Sequence, residues 1–390
     1  MAQNMDKKEV YIDSAATALK SESVIATQAE FLRIDYANAS RGTCGRAART
    51  DTAIESVRRT VAEFIGAKPE QIVFTSGTTD GINRIAHIIN AHFTKYGGKK
   101  SGQWTFGVSE LEHHSARMPF EDFEMDGKAK ISICPLDDNL NYDIEKLPMV
   151  DVLVITAMSN VFGVAQDVKK IIAAARTKNP NVITVVDAAQ YVVHAPIDVM
   201  DWDCDFLCFS GHKIGSDTGV GVMYMKGSYW MPDRFGGGMV QSLSYVAEMG
   251  EKKSIIDWKF AAAPTKFEAG TLPLTQIVGL GVAIKETGNW KPETGNLLNY
   301  LRDELSRIER IKFISPPDAN VLTFTVDGMH HLDFGAMMGA RGICLRTGNM
   351  CASWLFSRLG IDGAVRISVG PWNTMAEMEM VVKVIKEVLK

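Results

Sequence analysis

The stretch ITVVDAAQ at 183–190, followed by DCDFLCFSGHK at 203–213, decides the fold. Ile183–Val186 and Phe206–Phe209 are short, continuous apolar runs bounded by polar turns. Runs of this kind, too short for a helix and lacking alternation, read as strands buried on both faces of a parallel sheet. Five more strand-like runs lie outward from them, at Gln71–Thr75, Trp104–Val108, Ile131–Cys134, Val152–Thr156 and Val220–Met225. Helical patterns separate several of them, among them Ile82–Phe93 and Val168–Thr177. Strands alternating with helices imply an α/β fold around a mainly parallel, seven-stranded sheet. The last third changes character. Trp290–Arg310 and Met375–Leu389 read as helices, the second strongly amphipathic, and Val321–Val326 alternates as a strand does. A smaller α+β domain is expected there, with the boundary near Thr271–Lys285.

Length and composition bound the function. The chain has 390 residues, 46% hydrophobic and 23% charged, enough for a large core without metal or disulfide staples. A net charge of −4 gives no basic footprint, so nucleic acid is not an expected partner. No apolar run is long enough to span a membrane. Met1–Val10 is polar and has no apolar segment of the kind a secretory signal needs. The six cysteines show no Cys-x-x-Cys and no zinc-finger spacing, so reduced thiols, no metal site and a cytoplasmic location are expected. Cys204 and Cys208 are expected to be buried on one strand face.

Two strand ends concentrate chemistry. Asp187 directly follows Ile183–Val186, where open α/β sheets bind their ligands. Ser210, His212 and Lys213 follow the next run. An isolated Asp and Lys would ordinarily be a helix cap and a solvated cation. Together at neighbouring strand ends they are the pair that pyridoxal phosphate (PLP) chemistry needs: a lysine that forms Schiff bases and a carboxylate for the pyridine nitrogen. Ser76-Gly-Thr-Thr79 follows another strand and opens a helix, a suitable phosphate cradle. No Walker lysine and no G-x-G-x-x-G after a strand accompany it. In Glu112-His113-His114 adjacent side chains point apart, which argues against one shared metal ion. An imidazole there suits stacking on a flat cofactor and proton transfer.

From Tyr11 to about Val382 the chain resembles a group II cysteine desulfurase of the SufS/CsdA type, in the class V aminotransferase branch of PLP-dependent transferases of fold type I. The matching strings are YIDSAAT at 11–17, FTSGTTDGIN at 74–83, EHH at 112–114, SNVFG at 159–163, VDAAQ at 186–190, DCDFLCFSGHK at 203–213, FEAGT at 267–271, RTGNMCA at 346–352 and WNT at 372–374. The resemblance implies a large PLP-binding domain at 18–275 and a small domain formed by 1–17 and 276–390. It implies that Lys213 carries the Schiff base, that Asp187 pairs with the pyridine nitrogen and that Gln190 donates to the ring's phenolic oxygen. His113 would stack on the ring, and Thr78, Thr79, Ser210 and His212 would hold the phosphate. Thr271 would reach the phosphate of a second subunit, which implies a homodimer. Asn160 and Arg366 would hold the substrate carboxylate, and Cys351 would accept sulfur as a persulfide, with Arg346 close enough to favour its thiolate. The implied activity converts L-cysteine to L-alanine and hands sulfur to an acceptor protein; a selenocysteine lyase uses the same parts.

The chain departs from the family strings at three places. Asn349-Met350 stands where the family has two histidines, Arg41-Gly-Thr-Cys44 where it has Arg-Gly-x-His, and Ile-Gly-Ser-Asp at 214–217 where it has Leu-Tyr-Gly-Pro. These positions surround the substrate and the sulfur relay rather than the cofactor. The competing readings are another class V aminotransferase or epimerase-like enzyme in which Cys351 is incidental, and a non-catalytic scaffold of the same fold. Intact Lys213 and Asp187 speak against the scaffold.

Overall fold

Strands β1 to β15 follow the chain. β1 is Val10–Tyr11, β2 Ile72–Thr75, β3 Trp104–Val108, β4 Ala129–Ile133, β5 Val152–Thr156, β6 Ile183–Asp187, β7 Phe206–Ser210 and β8 Gly221–Met225. β9 is Val240–Ala247, β10 Ser254–Phe260, β11 Ile311–Phe313, β12 Leu322–Val326, β13 Ile343–Cys344, β14 Arg346–Gly348 and β15 Ala364–Ile367. The computed structural model describes residues 9–39, 42–96, 103–227, 230–247, 254–287 and 291–390, so Arg41 and Trp290 lie outside the described residues.

The seven expected strands form one sheet in the order β2-β8-β7-β6-β5-β3-β4. β8 runs antiparallel to both its neighbours and the other strands share one direction. Every residue of β2, β5, β7 and β8 is buried, which is why these segments read as unbroken apolar runs. β4 is the exception. It starts two residues earlier than expected and excludes Cys134, because as an edge strand with Lys130 and Ile133 exposed it carries a weak apolar signal. Gln71 likewise falls outside β2, in a short 3₁₀ turn where its side chain accepts from the Lys68 N–H at 2.9 Å.

The helices Thr78–Tyr96, Val168–Lys178 and Met375–Val388 match their sequence patterns. The long C-terminal-third helix is Lys291–Ser306, shorter than its pattern because the chain turns at Ile308 and enters β11. Glu22–Ile34 and Gly45–Phe64, which carry no strong sequence signal, pack on Leu274–Thr287. Among the described residues no helix is long and apolar enough to cross a membrane.

A second sheet, β11-β12-β15-β14, is antiparallel and covers its own apolar cluster, which includes Leu301, Phe324, Phe334, Ile367 and Val381. Val10 and Ile12 belong to that cluster too, and β1 pairs in parallel with β13. The chain's N-terminal segment is therefore pulled onto its C-terminal third and then crosses to the large sheet, where Ala18 N–H donates to His212 O at 2.9 Å.

One close approach shapes the edge of the large sheet. Gly221 at the start of β8 lies against the turn after β2: a Cβ there would sit 2.5 Å from Gly77 Cα and 2.8 Å from Phe209 O. Gly77 has φ of 149°, a conformation side chains avoid. Because the blocking atoms are backbone, Gly221→Ala is expected to destabilise the protein by about 1–3 kcal/mol. Denaturant titration checks this; an unchanged midpoint would mean that the turn moves aside freely.

Candidate active site

The C-terminal ends of β5, β6 and β7 carry the central groups. In register, Thr156 lies opposite Asp187, and Asp187 opposite Cys208. Ser210 ends β7 and Lys213 ends the 3₁₀ turn that follows. These ends open into a cavity of about 310 Å³. Of the residues singled out from the sequence, Thr78, Thr79, His113, Asn160, Asp187, Gln190, Ser210, His212, Lys213, Arg346, Cys351 and Arg366 all line it. Thr271 does not; it is exposed on its own chain.

The lining is held by specific bonds. Lys213 Nζ donates to Ala15 O at 2.7 Å and to Ala16 O at 2.9 Å, and Gln190 Nε2 donates to Ala15 O at 2.8 Å. Asp187 is buried and accepts from the Ala189 N–H at 2.9 Å. Ser210 Oγ accepts from the Thr78 N–H at 2.7 Å and lies 2.8 Å from Thr78 Oγ1. His113 caps the helix His114–Met125, its Nδ1 accepting from the Ser115 N–H at 3.1 Å. Its neighbour His114 leaves the cavity and reaches Ser353, as the alternation of side chains implied.

Arg366 enters on β15 from the second sheet. It donates to Asp13 Oδ1 at 3.0 Å and to Asn160 O at 2.9 Å, while Arg346 pairs with Asp13 Oδ2 at 2.7 Å. Cys351 is exposed at the rim, behind Met350.

Burial moves the ionisable groups away from charge. Lys213 is depressed to about 8, first by burial and then by the nearby Arg366 cation. His113 falls to about 4, through burial and the Lys213 charge, and His212 falls to about 4 for the same reasons. Asp187 is raised to about 6 by burial, partly offset by the Ala189 hydrogen bond and Lys213.

A family model described as aminotransferase class-V matches residues 10–381. The chain belongs to the class-V aminotransferase family. Within it, the chain groups with the cysteine desulfurases. A cysteine desulfurase of Pectobacterium atrosepticum is 33% identical over 386 residues, covering 95% of this chain and 91% of that protein. A cysteine desulfurase of Thermococcus onnurineus, solved in its apo form, superposes with a TM-score of 0.88 at 28% identity, over 98% of this chain and 94% of that one. The Escherichia coli cysteine desulfurase CsdA superposes at 0.84 with 30% identity, over the same shares of the two chains.

The family implies PLP, and the donor set of this class-V chain fits it. Thr78, Thr79 and Ser210 offer hydroxyls beside a helix N-terminus, with Gly77 bringing the backbone close. His212 Nδ1 and Arg366 Nε are buried without a hydrogen-bond partner among the described residues, polar capacity that a phosphate and a carboxylate would satisfy.

Three groups that line the cavity or support its lining went unmarked in the sequence. Asp13 and Ala15 stand in the YIDSAAT string, but their partners lie up to 353 residues away. Glu112 was passed over for the two histidines beside it. It is fully buried: Tyr142 donates to its Oε1, Ser109 Oγ donates to the same atom at 2.9 Å, and Oε2 has no hydrogen-bond partner among the described residues. Burial lifts it to about 7, with the nearby Asp187 adding to the rise.

A carboxyl raised in this way stays protonated in the folded chain while the unfolded chain ionises from its ordinary 4.5 upward. The contribution of Glu112 to stability therefore falls as pH rises from about 4.5 to 7, by on the order of 3 kcal/mol, and levels off above that. Glu112→Gln keeps the shape and removes the titration. Its melting temperature is expected to rise relative to that of the wild type between pH 5 and 8; parallel curves would show that Glu112 is ionised when buried.

Proposed function

We propose that the chain is a PLP-dependent cysteine desulfurase that converts L-cysteine to L-alanine and carries the sulfur as a persulfide on Cys351. The observation that carries this reading is one cavity in which a depressed lysine, a buried carboxylate, an arginine fork and a rim cysteine meet. Selenocysteine fits the same arrangement. The groupings by family and by similarity support the same activity.

Lys213 is the attachment point for the cofactor. Thr78, Thr79, Ser210 and His212 would hold its phosphate, Asp187 would pair with the ring nitrogen, Gln190 would donate to the phenolic oxygen, and His113 would stack on the ring. PLP, when bound, supplies an electron sink for charge that develops at the substrate Cα. Everything else falls to the chain's own side chains. Arg366 and Asn160 grip the substrate carboxylate, with Arg346 at the same wall, a bidentate geometry for which guanidinium is suited. A lysine amine near 8 is neutral often enough at physiological pH to take the α-proton. The neutral His113 imidazole holds or passes a proton without adding a cation beside Lys213. Cys351 thiolate then attacks the substrate sulfur: an S–S bond forms, the Cβ–S bond breaks with its electron pair left on carbon, Cβ takes a proton, the α-proton held by Lys213 returns to Cα, and alanine leaves.

The assembly is part of the proposal. Thr271, exposed on its own chain, is assigned to the phosphate of a partner copy in a homodimer, and the persulfide passes to a separate acceptor protein. The division into 18–275 and 1–17 with 276–390 is supported by the cluster that Val10 and Ile12 share with the second sheet. Six unpaired cysteines suit a reducing, cytoplasmic setting.

Two variants test the reading. Lys213→Ala should lose turnover by several orders of magnitude, since both attachment and proton transfer go; borohydride labelling mapped to another lysine would refute it. Cys351→Ser should keep the cofactor absorbance of the wild type yet release no alanine from cysteine. Wild-type desulfuration by Cys351→Ser, or pyruvate formed from alanine without sulfide release from cysteine, would instead favour another class-V activity in which Cys351 is incidental.

A further inference from the structure

Cys351 occupies a backbone conformation that side chains rarely adopt. Met350 and Cys351 have φ of 51° and 56°, two consecutive non-glycine residues in the left-handed region. Such a conformation is costly for a side chain and persists only where the surroundings over-determine it. Three separate segments do so. Within the turn, Asn349 Oδ1 accepts from the Cys351 N–H at 3.2 Å, and Asn349 O from the Ala352 N–H at 2.9 Å. From the loop after β5, Asn160 Nδ2 donates to Met350 O at 2.8 Å. From the start of the helix His114–Met125, the His114 N–H donates to Cys351 O at 2.8 Å.

The Asn349 and His114 side chains also reach Ser353, two residues further on. His114 Nε2 accepts from the Ser353 N–H at 3.2 Å, and Asn349 Nδ2 donates to Ser353 Oγ at 3.2 Å. The His114 ring also stands edge-on to Trp354, 5.2 Å between centroids, and the Arg117 guanidinium lies 4.2 Å over the other side of that indole system. Both backbone polar groups of Cys351 and the carbonyl of Met350 are thus held. The thiol itself takes no part in this network and stays exposed. Asn349 is one of the positions at which this chain departs from the strings it otherwise shares with its family.

We propose that Asn349 and His114 are positioning residues that form a clasp around Cys351, fixing the strained turn so that the thiol is presented at the cavity mouth instead of sampling the surrounding solvent. The role rests on Cys351 being the sulfur acceptor. Its physical content is preorganisation: a nucleophile held near its attack geometry gains rate without any change in how tightly substrate binds. Loss of the clasp therefore lowers kcat and leaves KM in place. Asn349 contributes one acceptor to the Cys351 N–H, and a single such bond is worth about tenfold when lost.

The test uses the full-length, PLP-loaded enzyme. Asn349→Ala removes the acceptor, Asn349→Asp retains it, and His114→Ala removes the imidazole that accepts from the Ser353 N–H while keeping the backbone bond to Cys351 O. Cofactor absorbance and melting temperature report that each variant is folded and loaded. Amide hydrogen exchange over 349–353 and steady-state kinetics with L-cysteine are then compared. Asn349→Ala is expected to exchange about tenfold faster over this turn, to lose about tenfold in kcat and to keep KM within twofold, and His114→Ala to exchange faster at the Ser353 amide. Asn349→Asp is expected to restore both exchange protection and kcat. Unchanged exchange in Asn349→Ala, or an Asn349→Asp variant as slow as Asn349→Ala, would overturn the clasp while leaving the desulfurase reading intact. A wild-type enzyme that releases no alanine from cysteine, yet shows slow exchange at this turn, would overturn the positioning role by removing the reaction it serves.

Discussion

Asp13 sits between two guanidinium groups, and much of the site depends on that arrangement. Its carboxylate bridges Arg346 on β14 and Arg366 on β15, with Arg366 and Asp13 almost wholly buried. Taking such charges out of water costs several kcal/mol each, and removing one partner would strand the others. The bridge fixes the Val10–Ala18 segment between the two sheets. That segment then supplies the Ala15 and Ala16 carbonyls that anchor Lys213 and Gln190. A residue near the start of the chain thus sets the position of an arginine more than 300 residues later and of a lysine about 200 residues later.

The cavity's electrostatics follow from the same burial. Desolvation pushes Lys213, His113 and His212 toward their neutral forms and raises Asp187. The Arg366 cation stays in the wall, paired on one side with Asp13 and keeping its Nε unpaired among the described residues. A site of this kind favours a ligand carrying anionic groups at two ends, since each would meet fixed donors that have already lost their water. It also explains why a neutral acid, Glu112, is tolerable beneath Asp187: two ionised carboxylates in so dry a region would repel each other.

Cys351 presents a contrast to these buried groups. It is exposed, and its position is set by hydrogen bonds to its backbone rather than by packing of its side chain. The core cysteines Cys134, Cys204 and Cys208 show the alternative, with burial raising their thiols far above the ordinary range. A thiol meant to react must avoid that fate, and a turn held from outside achieves it without submerging the sulfur.

Much was legible from the amino-acid order alone. The seven strands of the large sheet were visible because parallel strands buried on both faces leave unbroken apolar runs, and the groups at their ends were visible because chemistry collects where such strands stop. Lys213, Asp187, Thr78 and Ser210 are of this kind: each lies within a few residues of a strand it follows or ends. The edge strand β4 was blurred at its ends, since half of it faces solvent and carries lysine and serine. β1, β13 and β14 were invisible, being two or three residues long and paired only through distant segments. The Asp13 bridge, the carbonyls that hold Lys213 and the clasp around Cys351 belong to the tertiary structure alone. Local sequence records the periodicity of an element and the chemistry at its ends; it holds no trace of which distant segment will meet them, because those contacts are selected by the burial of the whole chain.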